Sequence, residues 1–229
     1  MSEDIIKPES EYLRLTMAES NIVERLRELL VKLHDEVSEL YDAMSDLFHG
    51  RYEALKTRFE RVHRYRREFE DLYRHAMSYL VRVSIGLQHR DVYARLYLEL
   101  LRLAKIIELV CFHLVELAEI RACVDDDIVL GMQKLVDYVR SSIMQLATAT
   151  QLLPMNASKV LENVDEVLRN EDLCDLMYRD LYLTLISRHD KIPLFNLVIL
   201  RDLFQKLSES MRSLLHVAEG LRWIALHRI

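Results

Sequence analysis

Apolar residues recur every three or four positions along most of the chain, which is the period of an amphipathic α-helix. Six such stretches are visible, and each ends near a residue that caps or interrupts a helix. The breaks fall at Gly50, Gly86, the acidic run 124–127, Pro154 and the segment 189–193. The predicted helices span about 22–50, 52–85, 91–123, 128–153, 158–187 and 193–229.

Composition supports the same architecture. The chain has only four Gly and three Pro in 229 residues, while 51% of its residues are apolar and 30% are charged. Because Gly and Pro mark turns, their scarcity indicates a few long helices joined by short loops. The predicted fold class is therefore all-α, with six long antiparallel helices.

The two halves of the sequence resemble each other. Tyr73 and Tyr178 occupy similar contexts at an offset of 105 residues, and the segment 105–108 resembles 206–209 at an offset of 101. A shorter loop in the second half explains the difference between the offsets. We therefore expect two tandem three-helix repeats: a lead-in over residues 1–17, repeat one over 18–123 and repeat two over 124–229.

Two acids lie on the apolar side of the fifth predicted helix. Glu171 and Asp175 are one helical turn apart within the apolar stripe that runs from Val160 to Leu185. An ionised carboxylate that loses its water costs several kcal/mol unless it is paired or coordinated. Three interpretations remain open: the acids reach solvent, form an ion pair inside the bundle, or bind a cation.

Arg66 is the corresponding charge in the second helix, where it interrupts an otherwise apolar seam. The repeat aligns Arg66 with Glu171, so both halves carry a charge at one equivalent position. If the halves pack with these positions facing each other, Arg66 reaches Glu171 or Asp175 and forms a partly buried ion pair.

Charge and cysteine content exclude several classes of protein. The 31 Lys and Arg against 37 Asp and Glu give a net charge of −6, which disfavours nucleic-acid binding. Cys111, Cys123 and Cys174 are odd in number and lack a CxxC pair, so we expect neither a disulfide framework nor a zinc knot. A polar, acidic start and the lack of an uninterrupted apolar span predict a cytoplasmic protein without membrane insertion.

Catalytic motifs are missing from the sequence. It has no Gly-rich phosphate loop, no G-x-S-x-G and no H-E-x-x-H. A di-iron bundle needs two inward Glu-x-x-His motifs, and the single instance places Glu60, three residues before His63, on the far side of its helix. We therefore expect that this protein is not an enzyme.

Two three-helix units with acids one turn apart resemble the PhoU family, and in particular its PhoU-like phosphate transport regulator branch. This resemblance covers nearly the whole chain from about Ile22. It implies a cytoplasmic, non-enzymatic regulatory protein for phosphate uptake that binds a phosphate transporter or a sensor kinase. It also implies metal clusters held by Glu/Asp-x-x-x-Asp motifs, because several family members carry them.

The acidic motifs are only partly kept in this chain. The four aligned motifs read Glu171-x-x-x-Asp175, Arg66-x-x-x-Glu70, Ala104-x-x-x-Glu108 and Gln205-x-x-x-Glu209. The metal ligands that the resemblance implies are Glu171, Asp175, Glu70, Glu108 and Glu209. Because three of the four motifs have lost their first acid, we expect divalent or ferric metal ions to bind weakly or not at all.

Two functions of other classes remain open from the sequence. One is a self-assembling helical scaffold without a ligand, in which the same acids are solvated or paired. The other is a metal-dependent enzyme with carboxylate ligands. The sequence also leaves open whether the protein forms homo-oligomers.

Overall fold

The computed structural model describes residues 16–228, so residues 1–15 of the expected lead-in lie outside it. These residues form helices and connecting turns without any strand. The predicted all-α fold with six long helices is therefore confirmed. The helices are α1 (Met17–Phe48), α2 (Tyr52–Val83), α3 (Arg90–Glu119), α4 (Asp126–Leu152), α5 (Ala157–Ser187) and α6 (Leu194–Leu226).

Two helices begin where a polar side chain caps a free backbone N–H. The Thr16 hydroxyl accepts a hydrogen bond from the backbone N–H of Glu19 at 3.2 Å, so α1 begins five residues before the predicted Ile22. The cap of α5 is Asn156, whose side chain accepts from the backbone N–H of Lys159 at 3.0 Å. The prediction that Ser158 caps α5 is wrong by two residues.

The ends of α1 and α3 use one C-cap geometry with different residues. After α1, Gly50 has φ +67°, and the backbone N–H of Arg51 donates to the Asp46 carbonyl at 2.8 Å. After α3, the left-handed position is filled by Arg121 at φ +47°, and the Ala122 N–H donates to the Leu117 carbonyl at 2.9 Å. Helix α3 therefore ends four residues before the predicted Cys123.

Four of the helices form a ring, and the other two cover its opposite sides. In the ring α1 contacts α3 and α4, and α6 contacts α3 and α4. Helix α2 packs on α1 and α3, whereas α5 packs on α4 and α6. Helices α3 and α6 run antiparallel, since the His89 and His227 rings meet edge to face near one end and Glu99 pairs with His216 further along.

Each half thus consists of three consecutive helices with the same contacts, which is consistent with two tandem three-helix repeats. The exact repeat boundaries stay a prediction. Within residues 16–228, none of the helices combines enough length with enough apolar character to cross a membrane.

Candidate functional site

The polar cluster of repeat one joins α2 to α3. The Arg66 guanidinium lies between two carboxylates, with Nη1 at 2.5 Å from Glu70 Oε1 and Nε at 2.6 Å from Glu108 Oε2. The second contact is an ion pair whose N–H is not aligned for a hydrogen bond. His63 Nδ1 lies 2.5 Å from the other oxygen of Glu108. One cation and one imidazole therefore satisfy both acids.

Electrostatics favour the charged form of Arg66. Burial lowers its pKa, but the ionic contacts with Glu108 and Glu70 outweigh burial, so the pKa is raised above its ordinary value. The Arg66 side chain is 16% exposed, against 21% for Glu108 and 30% for Glu70. The cluster is therefore largely shielded from bulk water, and Glu70 is the more exposed of its two paired acids.

Glu36 on α1 adds a fully buried carboxyl group to this cluster. Neither of its oxygens has a hydrogen-bond partner among the described residues. Burial raises the pKa of Glu36 well above its ordinary value, Glu108 raises it further, and Arg66 lowers it. Burial also raises the pKa of the neighbouring Cys111 thiol, to about 12. Burial and the carboxylate of Glu108 therefore both favour the protonated form of Glu36.

Sequence reasoning missed both Glu36 and His63. Glu36 follows Ile22 and Leu29 at steps of seven residues, and Ala43 continues the series. All four positions are buried. The seven-residue spacing of the three apolar members is therefore the sequence signal that predicts burial of Glu36. The only sequence motif that contains His63 is a Glu-x-x-His motif whose Glu60 faces away from the apolar seam of α2.

Two of the three acids of repeat two have partners on their own helices. Asp175 pairs with Arg179 on its own helix at 2.5 Å, and Glu209 pairs with Lys206 at 2.8 Å. Burial opposes ionisation of Glu209, but Lys206 lowers its pKa below the ordinary value. Glu171 forms no ion pair with any described residue. Burial raises the pKa of Glu171, and the negative charges of Asp172 and Asp175 raise it further.

The predicted ion pair between Arg66 and the acids of α5 is wrong. Arg66 lies on α2, and α2 and α5 cover opposite sides of the ring without contacting each other in the part of the chain that is described. The predicted repeat alignment makes the two positions equivalent, but they lie on helices that do not contact each other. Arg66 instead neutralises Glu70 and Glu108 of its own repeat.

The five predicted metal ligands do not come together around one point. Among residues 16–228, no group of three or more His, Cys, Asp and Glu side chains is arranged to hold a metal ion. Four of the five acids already contact an Arg or Lys side chain. The residues present therefore do not fit a metal cluster, and the ligand role of these acids stays a prediction.

The outer surface of α5 carries four exposed apolar residues, whereas three of the four equivalent positions of α2 are polar. We call the exposed apolar residues of this helix the α5 face: Leu173, Leu176, Leu183 and Ile186, each between 46% and 64% exposed. At the repeat offset of 105 residues, α2 carries Glu68, Asp71, Ser78 and Val81. An exposed apolar surface in only one repeat points to a contact that only this repeat makes.

A shallow groove of about 260 Å³ continues the α5 face toward the start of α6. Ile186, Leu194 and Val198 contribute to its lining, and Arg201 and His189 lie at the groove as polar groups. Leu194 and the adjacent Phe195 are 78% and 59% exposed. The apolar surface therefore spans two helices of repeat two.

No protein-family model matches the sequence, and comparison with curated proteins finds no match. Solved structures do match. A PhoU-like phosphate regulatory protein from Shewanella oneidensis has a TM-score of 0.75 at 12% identity, over 91% of this chain and 100% of its own. PhoU from Pseudomonas aeruginosa has a TM-score of 0.67 at 12% identity, over 91% and 94% of the two chains.

The phosphate transport system regulatory protein PhoU from Streptococcus pneumoniae matches with a TM-score of 0.55 at 12% identity, over 89% of this chain and 93% of its own. At such low identity the similarity establishes the three-dimensional arrangement of the helices. The predicted resemblance to the PhoU family is thus confirmed in the fold. The chain has the six-helix fold of PhoU and PhoU-like phosphate regulatory proteins.

Proposed function

We propose that this protein is a non-enzymatic cytoplasmic regulator of phosphate uptake that binds a phosphate transporter. The observation that supports this proposal is the fold, which is similar to that of three PhoU or PhoU-like proteins over 93–100% of their lengths, two of which are described as phosphate regulatory proteins. Because one fold can host several functions, the proposal also requires a surface suited to binding the partner.

The α5 face is the surface proposed to bind the transporter. Three of its four apolar side chains, those of Leu173, Leu176 and Leu183, have polar equivalents on α2, so the fold itself does not require these three positions to be apolar. Arg179 and Asp180 lie between Leu176 and Leu183 and add one charge of each sign. Such a surface fits an apolar helix or loop of the transporter, with charged groups at its edge.

A crosslinking experiment in the native host tests this assignment. A photoreactive amino acid at Leu183 is expected to crosslink to a phosphate transporter subunit. The matched control is the same amino acid at Ser78, the equivalent exposed position on α2, where we expect no such crosslink. Capture of a sensor kinase through Leu183 would replace the transporter as partner. Capture of a second copy of this chain would favour the self-assembling scaffold.

A variant with a polar α5 face provides the second test. The double variant Leu176→Asp, Leu183→Ser gives α5 the same residue types that α2 has at the equivalent positions, Asp71 and Ser78. Because both leucines are more than half exposed, we expect the variant to keep the helical content and thermal stability of the wild type. We expect it to lose transporter binding. Binding that is unchanged in a folded variant would exclude the α5 face as the docking surface.

A further inference from the structure

We infer that the outer surface of α3 is a second docking surface, suited to an acidic amphipathic helix of a partner protein. This surface lies on a different helix from the α5 face, so it can be present whether or not the α5 face binds a transporter. Six residues form it, and we call them the α3 stripe: Arg95, Leu98, Arg102, Lys105, Leu109 and Phe112.

The α3 stripe has the spacing of a helix–helix contact surface. Its members follow one another at steps of three, four, three, four and three residues, which is the alternation of a and d positions in a coiled coil. All six are exposed, including Leu98 at 52%, Leu109 at 36% and Phe112 at 42%. Helices α1, α2 and α6 pack on other sides of α3. The stripe therefore lies on a side of α3 that none of the described helices covers.

The three cations of the α3 stripe make no ion pair and no side-chain hydrogen bond with any described residue. Arg102 is close enough to help lower the pKa of Glu209, but it forms no ion pair with this acid. The acids beside the stripe already have partners: Glu99 has His216, Glu108 has Arg66, and Glu209 has Lys206. The three cations are therefore available to carboxylates of another molecule.

The length and chemistry of the stripe define its occupant. From Arg95 to Phe112 it spans about 25 Å at roughly 1.5 Å per residue, which matches a helix of about five turns. The Phe112 ring also lies 5.8 Å from the Phe59 ring of α2, which widens the apolar end of the stripe. An amphipathic helix can pack apolar side chains on the three apolar members while its Asp and Glu side chains reach the three cations. Nucleic acid would satisfy only the cations.

Calorimetric titration of the full-length protein with synthetic peptides tests this chemistry. The probe is a helical peptide of about 18 residues with Leu at its a and d positions and Glu at its e and g positions. The control peptide has Lys in place of each Glu. We expect the wild type to bind the Glu peptide at one site and the Lys peptide at least about tenfold more weakly, because the Lys peptide brings like charges to the stripe. Binding of the Glu peptide should weaken at high salt.

Charge reversal on the stripe provides the matching variant. Arg102→Glu with Lys105→Glu should weaken binding of the Glu peptide at least about tenfold, since two attractions become repulsions. The matched control is Arg67→Glu with Lys134→Glu, which changes the net charge equally at two exposed cations of α2 and α4 without ion pairs in the described chain. It should bind like the wild type. Because all four positions are exposed, circular dichroism should show both variants folded.

The variant with the polar α5 face separates the two surfaces, and it should bind the Glu peptide like the wild type. Loss of peptide binding in that variant would place the peptide on the α5 face and overturn the inference. Equal binding of the Glu and Lys peptides would overturn it, as would Glu-peptide binding that the charge reversal leaves unchanged. A wild type that binds neither peptide would also overturn it.

A photoreactive amino acid at Leu98 identifies the natural occupant in the native host. We expect the crosslinked segment to be rich in Asp and Glu, with apolar residues every three or four positions. The crosslink should disappear when Arg102→Glu and Lys105→Glu are added. A crosslink to nucleic acid, to a segment without acids or to a second copy of this chain would contradict the assignment.

Discussion

Glu36 is the most informative position for mutation, because it is a fully buried acid without a hydrogen-bond partner in the described structure. We expect Glu36→Met to stabilise the protein. The methionine side chain has a similar length and no group that needs a partner, so it removes the cost of two unsatisfied oxygens. The contacts of Arg66 with Glu70 and Glu108 remain intact.

The expected gain follows from the cost of an unsatisfied buried polar group, about 1–3 kcal/mol in free energy of unfolding. For a chain of 229 residues this corresponds to a rise in Tm of roughly 2–12 °C, at about 2–4 °C per kcal/mol. Urea unfolding at pH 7, followed by circular dichroism, measures the difference. Glu28→Met is the matched control, since Glu28 is an exposed acid on the same helix and its replacement should be nearly neutral.

The pH dependence has a defined sign, because the folded pKa of Glu36 lies above its unfolded value of about 4.3. Below pH 4 the carboxyl group is protonated in both states, and Glu36→Gln should match the wild type. As the pH rises toward the folded pKa, the unfolded chain ionises first. The wild type should then lose up to about 1.4 kcal/mol per pH unit relative to the variant, until the folded pKa is passed.

Two results would refute this reasoning. If Glu36→Met lowers the stability by more than about 1 kcal/mol, Glu36 has a stabilising partner such as a bound cation. If the stability difference between Glu36→Gln and the wild type stays constant from pH 4 to pH 8, the pKa of Glu36 is not displaced in the folded protein.

Three further predictions concern packing, backbone and thiols. Gly131→Val should cost about 1–3 kcal/mol of stability in urea unfolding, because even a Cβ there would lie 2.5 Å from a methyl carbon of Leu181; an unchanged midpoint would contradict it. Arg121→Gly should raise the stability by about 1 kcal/mol by relieving a left-handed φ of +47°, and a loss would disprove this. Cys123 should react rapidly with Ellman's reagent, whereas Cys111 and Cys174 should react only on unfolding, because burial raises the pKa of each of these two thiols to about 12. Rapid reaction of all three thiols would refute the burial of Cys111 and Cys174.

The helices could be predicted because their apolar spacing is long and regular. Their ends were less predictable, since each end depends on one local interaction. Thr16 and Asn156 cap helices through single hydrogen bonds, and Arg121 takes a left-handed conformation that is normally expected of Gly. Apolar periodicity was thus enough to predict the six helices. Their exact ends were not predictable in the same way, because several neighbouring residues could each have formed the cap.

The candidate site was less predictable than the fold. Alignment of the repeats pairs Arg66 with Glu171, but equivalence within two repeats says nothing about contact between them. The partner of Arg66 depends on which helices pack together, and α2 packs on α3, which carries Glu108. The burial of Glu36 follows from tertiary packing, because α1 contacts three other helices and so buries more than one of its faces.

Phosphate uptake in the native host tests the proposed regulatory function most directly. The assay compares a strain that lacks the gene with the same strain expressing the wild type, Leu176→Asp with Leu183→Ser, or the polar-face control Asp71→Asn. At high external phosphate we expect deletion to change the uptake rate, and the wild type and Asp71→Asn to restore it. The variant with the polar α5 face should fail to do so. An uptake rate that is unaffected by deletion at both high and low phosphate would contradict the proposed function.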